Sequence, residues 1–194
     1  MSHHGEVDLQ DWGQRHREES RDKPALPIPF ITEIVRPLKP GKALDLACGT
    51  GRHAVWLAQQ GWSVTAVDGS SPAIEMLRNQ IDGLSIETRV ADLEQHEYLI
   101  APENWDLIVI SLYLQRDLFE PAKLGVKPGG ILIAITLLAD TDPPRRYRAL
   151  PGELKSYFAG WEILHYSEEH SQARIAARKS QRAVGQVPDV PDLP

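Results

Sequence analysis

Thiols are nearly absent from this chain: among 194 residues only Cys48 carries one. A single cysteine excludes an internal disulfide and fits a cytoplasmic home. Positive charge is also in short supply. Lys and Arg number 21 against 27 Asp and Glu, giving a net charge of -6, and the basic pairs Arg145-Arg146 and Arg178-Lys179 are short. That balance argues against nucleic acid as a partner. No apolar run is long enough to span a membrane, and the polar N-terminus has no signal-peptide core. No histidine, the His3-His4 pair included, stands at metal spacing from a second ligand, so no metal is expected. What is present is ordinary for a soluble globular protein, 42% hydrophobic and 25% charged, and long enough for one domain with a sizeable core.

Periodicity predicts an α/β chain. A short amphipathic helix is expected within Asp8 to Ser20, then a helix from Phe30 to Pro37, together forming an N-terminal helical cover over about residues 8–37. Alternation then sets in. Strands are expected at Ala43–Ala47, Ser63–Val67, Leu84–Val90, Trp105–Ser111 and Ile131–Leu138, the fourth nearly all apolar as a central parallel strand is. Helices are expected at Arg52–Gln60, at Ser71–Gln80 with Ser71 as N-cap and Pro72 at N1, and at Leu118–Gly125, before a Pro128-Gly129-Gly130 turn. Such βαβα order means a parallel sheet with helices on both faces. After a helix at Pro151–Phe158, strands at Trp161–Ser167 and Gln172–Lys179 lie close enough to pair as an antiparallel hairpin. The domain is expected to span 1–179, with a disordered tail at 180–194.

The first strand runs through Asp45 into Ala47-Cys48-Gly49-Thr50-Gly51 and then a helix. Glycines at 49 and 51 allow a tight turn and a close backbone approach to a ligand, and the helix start directs its amides to the same point. Gly49-x-Gly51-x-x-Ala54 satisfies a dinucleotide pattern. However, the carboxylate of Asp45 disfavours a pyrophosphate and favours a cationic ligand such as S-adenosylmethionine, which carries a sulfonium and an ammonium group.

Asp45 to Gly51 resembles the first motif of the class I S-adenosylmethionine-dependent methyltransferases. Gly51-Arg52-His53-Ala54-x-x-Leu57-Ala58 is similar to the small tellurite-resistance (TehB-like) members, which usually carry Asn where this chain has His53. The resemblance covers roughly residues 9 to 179. It implies a doubly wound Rossmann-like seven-stranded sheet, mostly parallel with a C-terminal antiparallel hairpin, and S-adenosyl-L-methionine as cofactor.

Ala47, Cys48, Gly49 and Gly51 would then supply the turn that meets the cofactor, with Cys48 a small packing residue or a backbone contact rather than a nucleophile. Asp68, ending the second strand before Gly69, suits the ribose hydroxyls. By resemblance Asp92 accepts from the adenine amino group, Ala91 and Leu93 flank the base, and Trp12 and Arg15 belong to a helix covering the cofactor. Ile110 and Ser111 end the fourth strand near the sulfonium. Asp106, at that strand's other end, is expected to be structural.

Tyr113, Gln115 and Arg116 follow the fourth strand toward the acceptor, and Tyr147 and Arg148 lie where related enzymes carry a substrate cap. His170 and Arg174 flank the hairpin turn without matching the family's His and Arg, and are taken as surface charge. No catalytic base stands out, which tilts the expectation toward a small soft acceptor such as a thiol or chalcogen. The expected partner is a small molecule, with the chain a monomer or homodimer. Alternatives are a nicotinamide-dependent oxidoreductase, disfavoured by Asp45 and the hairpin, and a non-catalytic S-adenosylmethionine sensor.

Overall fold

A computed structural model describes residues 26–140 and 146–181. Helices are α1 (Pro29–Val35), α2 (Arg52–Gln59), α3 (Ser71–Arg78), α4 (Phe119–Gly125) and α5 (Glu153–Ser156). Strands are β1 (Lys42–Leu46), β2 (Ser63–Asp68), β3 (Ile86–Val90), β4 (Trp105–Ser111), β5 (Val126–Leu138), β6 (Arg148–Ala149), β7 (Glu162–Glu169) and β8 (Gln172–Arg178). Seven strands form one path, β3-β2-β1-β4-β5-β8-β7. Pairing is parallel from β3 to β5 and antiparallel from β5 through β8 to β7. The expected doubly wound sheet with its antiparallel hairpin is therefore the observed one, and among the described residues β3 and β7 are its edges.

Strand alternation divides the core into two layers. Leu107 and Val109 of β4, with Ile131, Ile133 and Ile135 of β5, pack under Phe30, Ile31, Ala54, Leu57, Ile74 and Leu77 of α1, α2 and α3. Ile108, Ile110 and Leu132 face the other way, against Phe119, Ala122, Leu154 and Phe158. Because both faces of β1 and β4 are covered, their middles are apolar (Ala43-Leu44 and Leu107 to Ile110), with Asp45 the buried exception in β1.

Several local expectations need correction. The cap of α3 is Ser70, whose Oγ accepts from the Ala73 N–H at 3.3 Å; an N-cap side chain reaches the N3 amide, so Ser71 is N1 and Pro72 lies one place further in. The Pro128-Gly129-Gly130 turn lies inside β5 as an irregularity: Trp105 pairs with Val126, but Leu107 with Ile131. Gly129 takes φ 80° there, and its N–H donates to the Lys179 carbonyl at 2.9 Å. The last two strands are joined by two residues only, His170 and Ser171, both with positive φ (50° and 59°), the geometry of a tight hairpin turn. An eighth strand, β6, lies off the main path and pairs in parallel with Leu137 and Leu138 of β5; two residues carry no periodicity for a sequence to reveal. Trp12, Arg15, the expected helix within 8–20 and almost all of the expected tail lie outside the described residues. Among the described residues no helix is long and apolar enough to cross a membrane.

Candidate functional site

In an open α/β sheet, ligands bind beyond the carboxyl ends of the strands where strand order reverses. Here that point lies between the neighbours β1 and β4. Both strands leave it through left-handed non-glycine residues, Ala47 (φ 54°) and Leu112 (φ 57°), a conformation that costs about 1–3 kcal/mol each and collects at ligand sites. The Cys48 N–H donates to the Val67 carbonyl at 3.0 Å, fastening the turn to β2. Gly51 opens α2 at φ 84°, and a Cβ there would stand 2.3 Å from Leu77 Cδ1. Glycine is thus required at 51 by conformation and by space.

Asp45 is the unusual residue. It is 1% exposed, and neither carboxylate oxygen has a hydrogen-bond partner. Burial pushes its pKa up from 3.8 to about 7; the Ala54 amide, nearby but not bonded, tempers the rise, and the Asp68 charge adds to it. Holding it ionised in the free protein at neutral pH costs on the order of 4 kcal/mol at ~1.4 kcal/mol per tenfold. Ser111 Oγ, on the same face of the sheet by strand alternation, is also buried and unpaired. Three of the four such atoms among the described residues, the two Asp45 oxygens and Ser111 Oγ, therefore lie at the ligand end of β1 and β4. Unpaired buried polar groups are costly, and a cationic ligand with N–H donors would relieve them.

Asp68 turns its carboxylate to the glycine turn: Oδ2 accepts from the Gly49 N–H and Oδ1 from the Ser70 N–H, both at 2.8 Å. Each oxygen keeps a second lone pair for a hydroxyl donor. Asp92 Oδ1 accepts from the Glu94 N–H at 2.9 Å, so it caps its own loop. Ala91 and Leu93 are buried in the core, as is Ile110, leaving their backbones to meet a ligand; Gly69 is half-buried beside Asp68. The Cys48 thiol is buried, and burial followed by the charges of Asp45 and Asp68 raises its pKa well above the ordinary value. It is an un-ionised packing group, not a nucleophile.

His53, the position where the resembling proteins carry Asn, is 2% exposed. Its Nε2 accepts from the Ile28 N–H at 3.3 Å, tying the start of α1 to the glycine turn. Burial lowers its pKa to about 3, helped by Arg52, so it stays neutral.

On the β4 side, Tyr113 Oη donates to Gln115 Oε1 at 2.9 Å and Gln115 Nε2 donates to the Leu93 carbonyl at 3.0 Å. Burial, then the Glu94 charge, raises the Tyr113 pKa far above the ordinary phenol range, which removes it as a base. Tyr147 stacks on Tyr113, ring centres 6.4 Å apart, and the Arg146 guanidinium lies 5.2 Å over Tyr147. A cleft of about 180 Å³ opens here, walled by Glu94, by Leu114 to Asp117, and by Arg146 with Tyr147.

Arg116 and Arg148 hold the wall together. Arg116 grips both oxygens of Glu153 (2.7 and 3.1 Å) and donates to the carbonyls of Arg146 and Arg148, each at 3.2 Å. Glu153 also accepts from the Leu150 N–H at 2.8 Å and from Tyr157 Oη at 2.7 Å. Burial would raise the Glu153 pKa, but these bonds, Arg116 first, hold it below the ordinary value. Arg148 Nη1 donates to the Leu138 carbonyl at 2.9 Å. These guanidiniums anchor the strap from 146 to 150.

At the far end of the sheet, Asp106 accepts from the Lys42 N–H at 2.8 Å and from Lys127 Nζ at 2.7 Å, the structural role expected of it. Arg174 donates to Gln172 within β8 and lies outside the cleft's lining. No group of three or more His, Cys, Asp or Glu among the described residues is placed to hold a metal.

The family model for "Tellurite resistance protein TehB" matches residues 29–183. The chain belongs to the TehB family. Among similar proteins, the Probable S-adenosyl-L-methionine-dependent methyltransferase TehB of Haemophilus influenzae is 27% identical over 151 residues, covering 71% of this chain and 52% of that protein. Hemagglutinin 1 of Eikenella corrodens is 29% identical over 149 residues, covering 71% and 49%. The chain thus spans about half the length of these curated relatives. The crystal structure of TehB from Haemophilus influenzae superposes with TM-score 0.72 at 25% identity, over 84% of this chain and 65% of that one. The DhpI–SAH complex, at 22% identity and TM-score 0.61 over 91% and 97%, shares the fold.

Within this TehB-family chain the sequence singled out Asp45, Asp68, Tyr113, Arg116, Tyr147 and Arg148, all of which lie at the ligand end. It did not single out Glu94, Arg146, Glu153 or Tyr157. Only the Arg145-Arg146 pair carried any signal; Glu153 meets Arg116 across 37 positions, a separation without a local pattern.

Proposed function

We propose that this chain is an S-adenosylmethionine-dependent methyltransferase acting on a small-molecule acceptor, a thiol or other soft chalcogen. The buried, unpaired carboxylate of Asp45 at the reversal of strand order is the observation that carries the reading. An ammonium group there would supply the missing donors and counter-charge, whereas a pyrophosphate would be repelled, which weighs against a nicotinamide dinucleotide. Asp45 and Ser111 would receive the amino-acid end of the cofactor. Gly49 and Gly51 would let the backbone approach it, Asp68 beside Gly69 would take the ribose hydroxyls, and the backbone of Ala91 to Leu93 with Asp92 would meet the base. Trp12 and Arg15 would cover it.

When bound, the cofactor supplies an already electrophilic methyl group. The work left to the chain is to exclude water and hold the acceptor in line, which can supply ~7 kcal/mol or more of rate enhancement. The stacked Tyr113 and Tyr147 and the strap held by Arg116 and Arg148 form one wall for that purpose. With Tyr113 locked as a donor, the described residues around the cleft offer carboxylates, Glu94 and Asp117, but no stronger base, so a polarisable acceptor that needs none is favoured. A cytoplasmic enzyme that binds neither nucleic acid nor membrane, as monomer or homodimer, completes the reading.

Calorimetric titration with S-adenosylmethionine, S-adenosylhomocysteine and NADH, on the wild type and Asp68→Ala, tests it. The first two ligands should bind, and the substitution should weaken them by about tenfold or more, the worth of a lost charge-assisted hydrogen bond. Binding of NADH alone would overturn the reading. Tight cofactor binding with no turnover over a broad acceptor panel would instead favour a sensor.

A further inference from the structure

We infer that the cleft beside the crevice is the acceptor site and that it takes an uncharged acceptor in preference to an anionic one. The inference rests on the methyltransferase reading above. Its basis is the pairing of charges around the cleft. Arg146 stands 2.6 Å from Glu94 Oε2. Arg116 is held by both oxygens of Glu153 and by two carbonyls. Asp117 lies 3.4 Å from His96, whose ring is charged only when protonated. Both cations among the described lining residues therefore already have a counter-ion, and with Glu153 counted behind the wall Asp117 leaves one negative charge in excess.

An oxyanion or a carboxylate entering the cleft would give up water and find each guanidinium already paired. The charge it would seek is already offset, and Glu94 and Asp117 would oppose it. An uncharged molecule meets no such opposition. It can lie beside Leu114 and Gln115, which line the cleft. In the transfer, the acceptor's sulfur lone pair forms the new bond to the methyl carbon. The methyl–sulfonium bond breaks, its electron pair returns to the S-adenosylmethionine sulfur, and the thiol proton goes to bulk water.

Two thiols of nearly equal size, differing in charge, form the test: 2-mercaptoethanol and mercaptoacetate. Binding of each to the S-adenosylhomocysteine-loaded full chain is followed by ligand-observed NMR, and turnover by S-adenosylhomocysteine release from S-adenosylmethionine. Wild type should favour the neutral thiol by about tenfold in both readouts. Glu94→Gln removes Arg146's counter-charge and should move the ratio toward mercaptoacetate by about tenfold; Arg146→Gln should move it the opposite way. A merely structural role would shift both variants in the same direction or neither.

Preference for mercaptoacetate by wild type, binding of neither thiol, or ratios indifferent to both substitutions would overturn this inference while leaving the methyltransferase reading intact. Failure of S-adenosylhomocysteine to bind any of the three proteins would overturn both.

Discussion

The two halves of the ligand edge are built on opposite terms. The β1–β2 half holds a buried carboxylate and, with the end of β4, a buried hydroxyl without partners. The wall after β4 is saturated: Arg116, Glu153, Tyr157, Tyr113 and Gln115 all spend their polar atoms on one another or on the backbone. One half carries an electrostatic cost that a ligand would relieve, and the other carries rigidity that a ligand would use. Recognition is expected to be strong and charge-driven in the crevice, and set by shape along the wall.

The sharpest way to break this contrast is Asp45→Asn. We expect affinity for S-adenosylmethionine to fall by about a hundredfold or more as the counter-charge is lost, while the free protein's melting temperature rises by several degrees because the buried charge is gone. A lower melting temperature would mean that Asp45 is satisfied in the free chain. The same contrast has a pH signature. With the Asp45 pKa raised to about 7, its contribution to stability is fully present below 3.8 and is lost as pH rises through about 7. A cationic ligand needs the ionised form, so its affinity should climb about tenfold per pH unit from 5 to 7 and then level off. Calorimetry across that range should show the climb in wild type and a flat profile in Asp45→Asn.

Along the wall, a double-mutant cycle of Arg116→Lys with Glu153→Gln should give a coupling of about 1–2 kcal/mol in thermal stability, at the modest end because Arg116 is partly exposed. Binding of S-adenosylhomocysteine should change by less than about twofold. A large loss of cofactor affinity would show that the halves are not separable.

The smallest effect belongs to His53→Asn. An amide can also accept from the Ile28 N–H, so stability near pH 7 should change by less than about 1 kcal/mol. Acid is different. A pKa lowered to about 3 means that His53's contribution is present above 6.5 and lost as pH falls toward 3, opposing the trend of Asp45 over nearly the same range. Melts at pH 4 to 6 should find the variant more acid-resistant than wild type.

The same division decides what the sequence made readable. The crevice is assembled from residues close together in the chain, Asp45 to His53, with Asp68 and Asp92 at the ends of the next two strands. A short contiguous motif of glycines and an acid therefore announces it, and the alternating periods announce the sheet. The wall is assembled across distance. Tyr113 meets Tyr147, and Arg116 meets Glu153, through tertiary folding alone, so Glu153 and Tyr157 look like ordinary surface residues of a short helix. Strand β6 escaped notice for a similar reason: it exists because the strap is pinned beside Leu137 and Leu138, not because Arg148-Ala149 favours extension. At α3 the sequence points to Ser71 as the cap, but two serines stand in a row and the Ala73 amide donates to the first, Ser70.

The outer rim of β7, which no described strand pairs, bears on how copies of this chain behave in solution. An exposed strand rim invites another strand to add to it. Here the outermost strand opens and closes on acids, Glu162 at one end and Glu168-Glu169 at the other, in a chain already carrying net charge -6. Two copies approaching rim to rim would bring carboxylates together, and like charges directly opposite oppose pairing. The strand that completes the sheet thereby discourages the sheet from growing past it, a safeguard against aggregation.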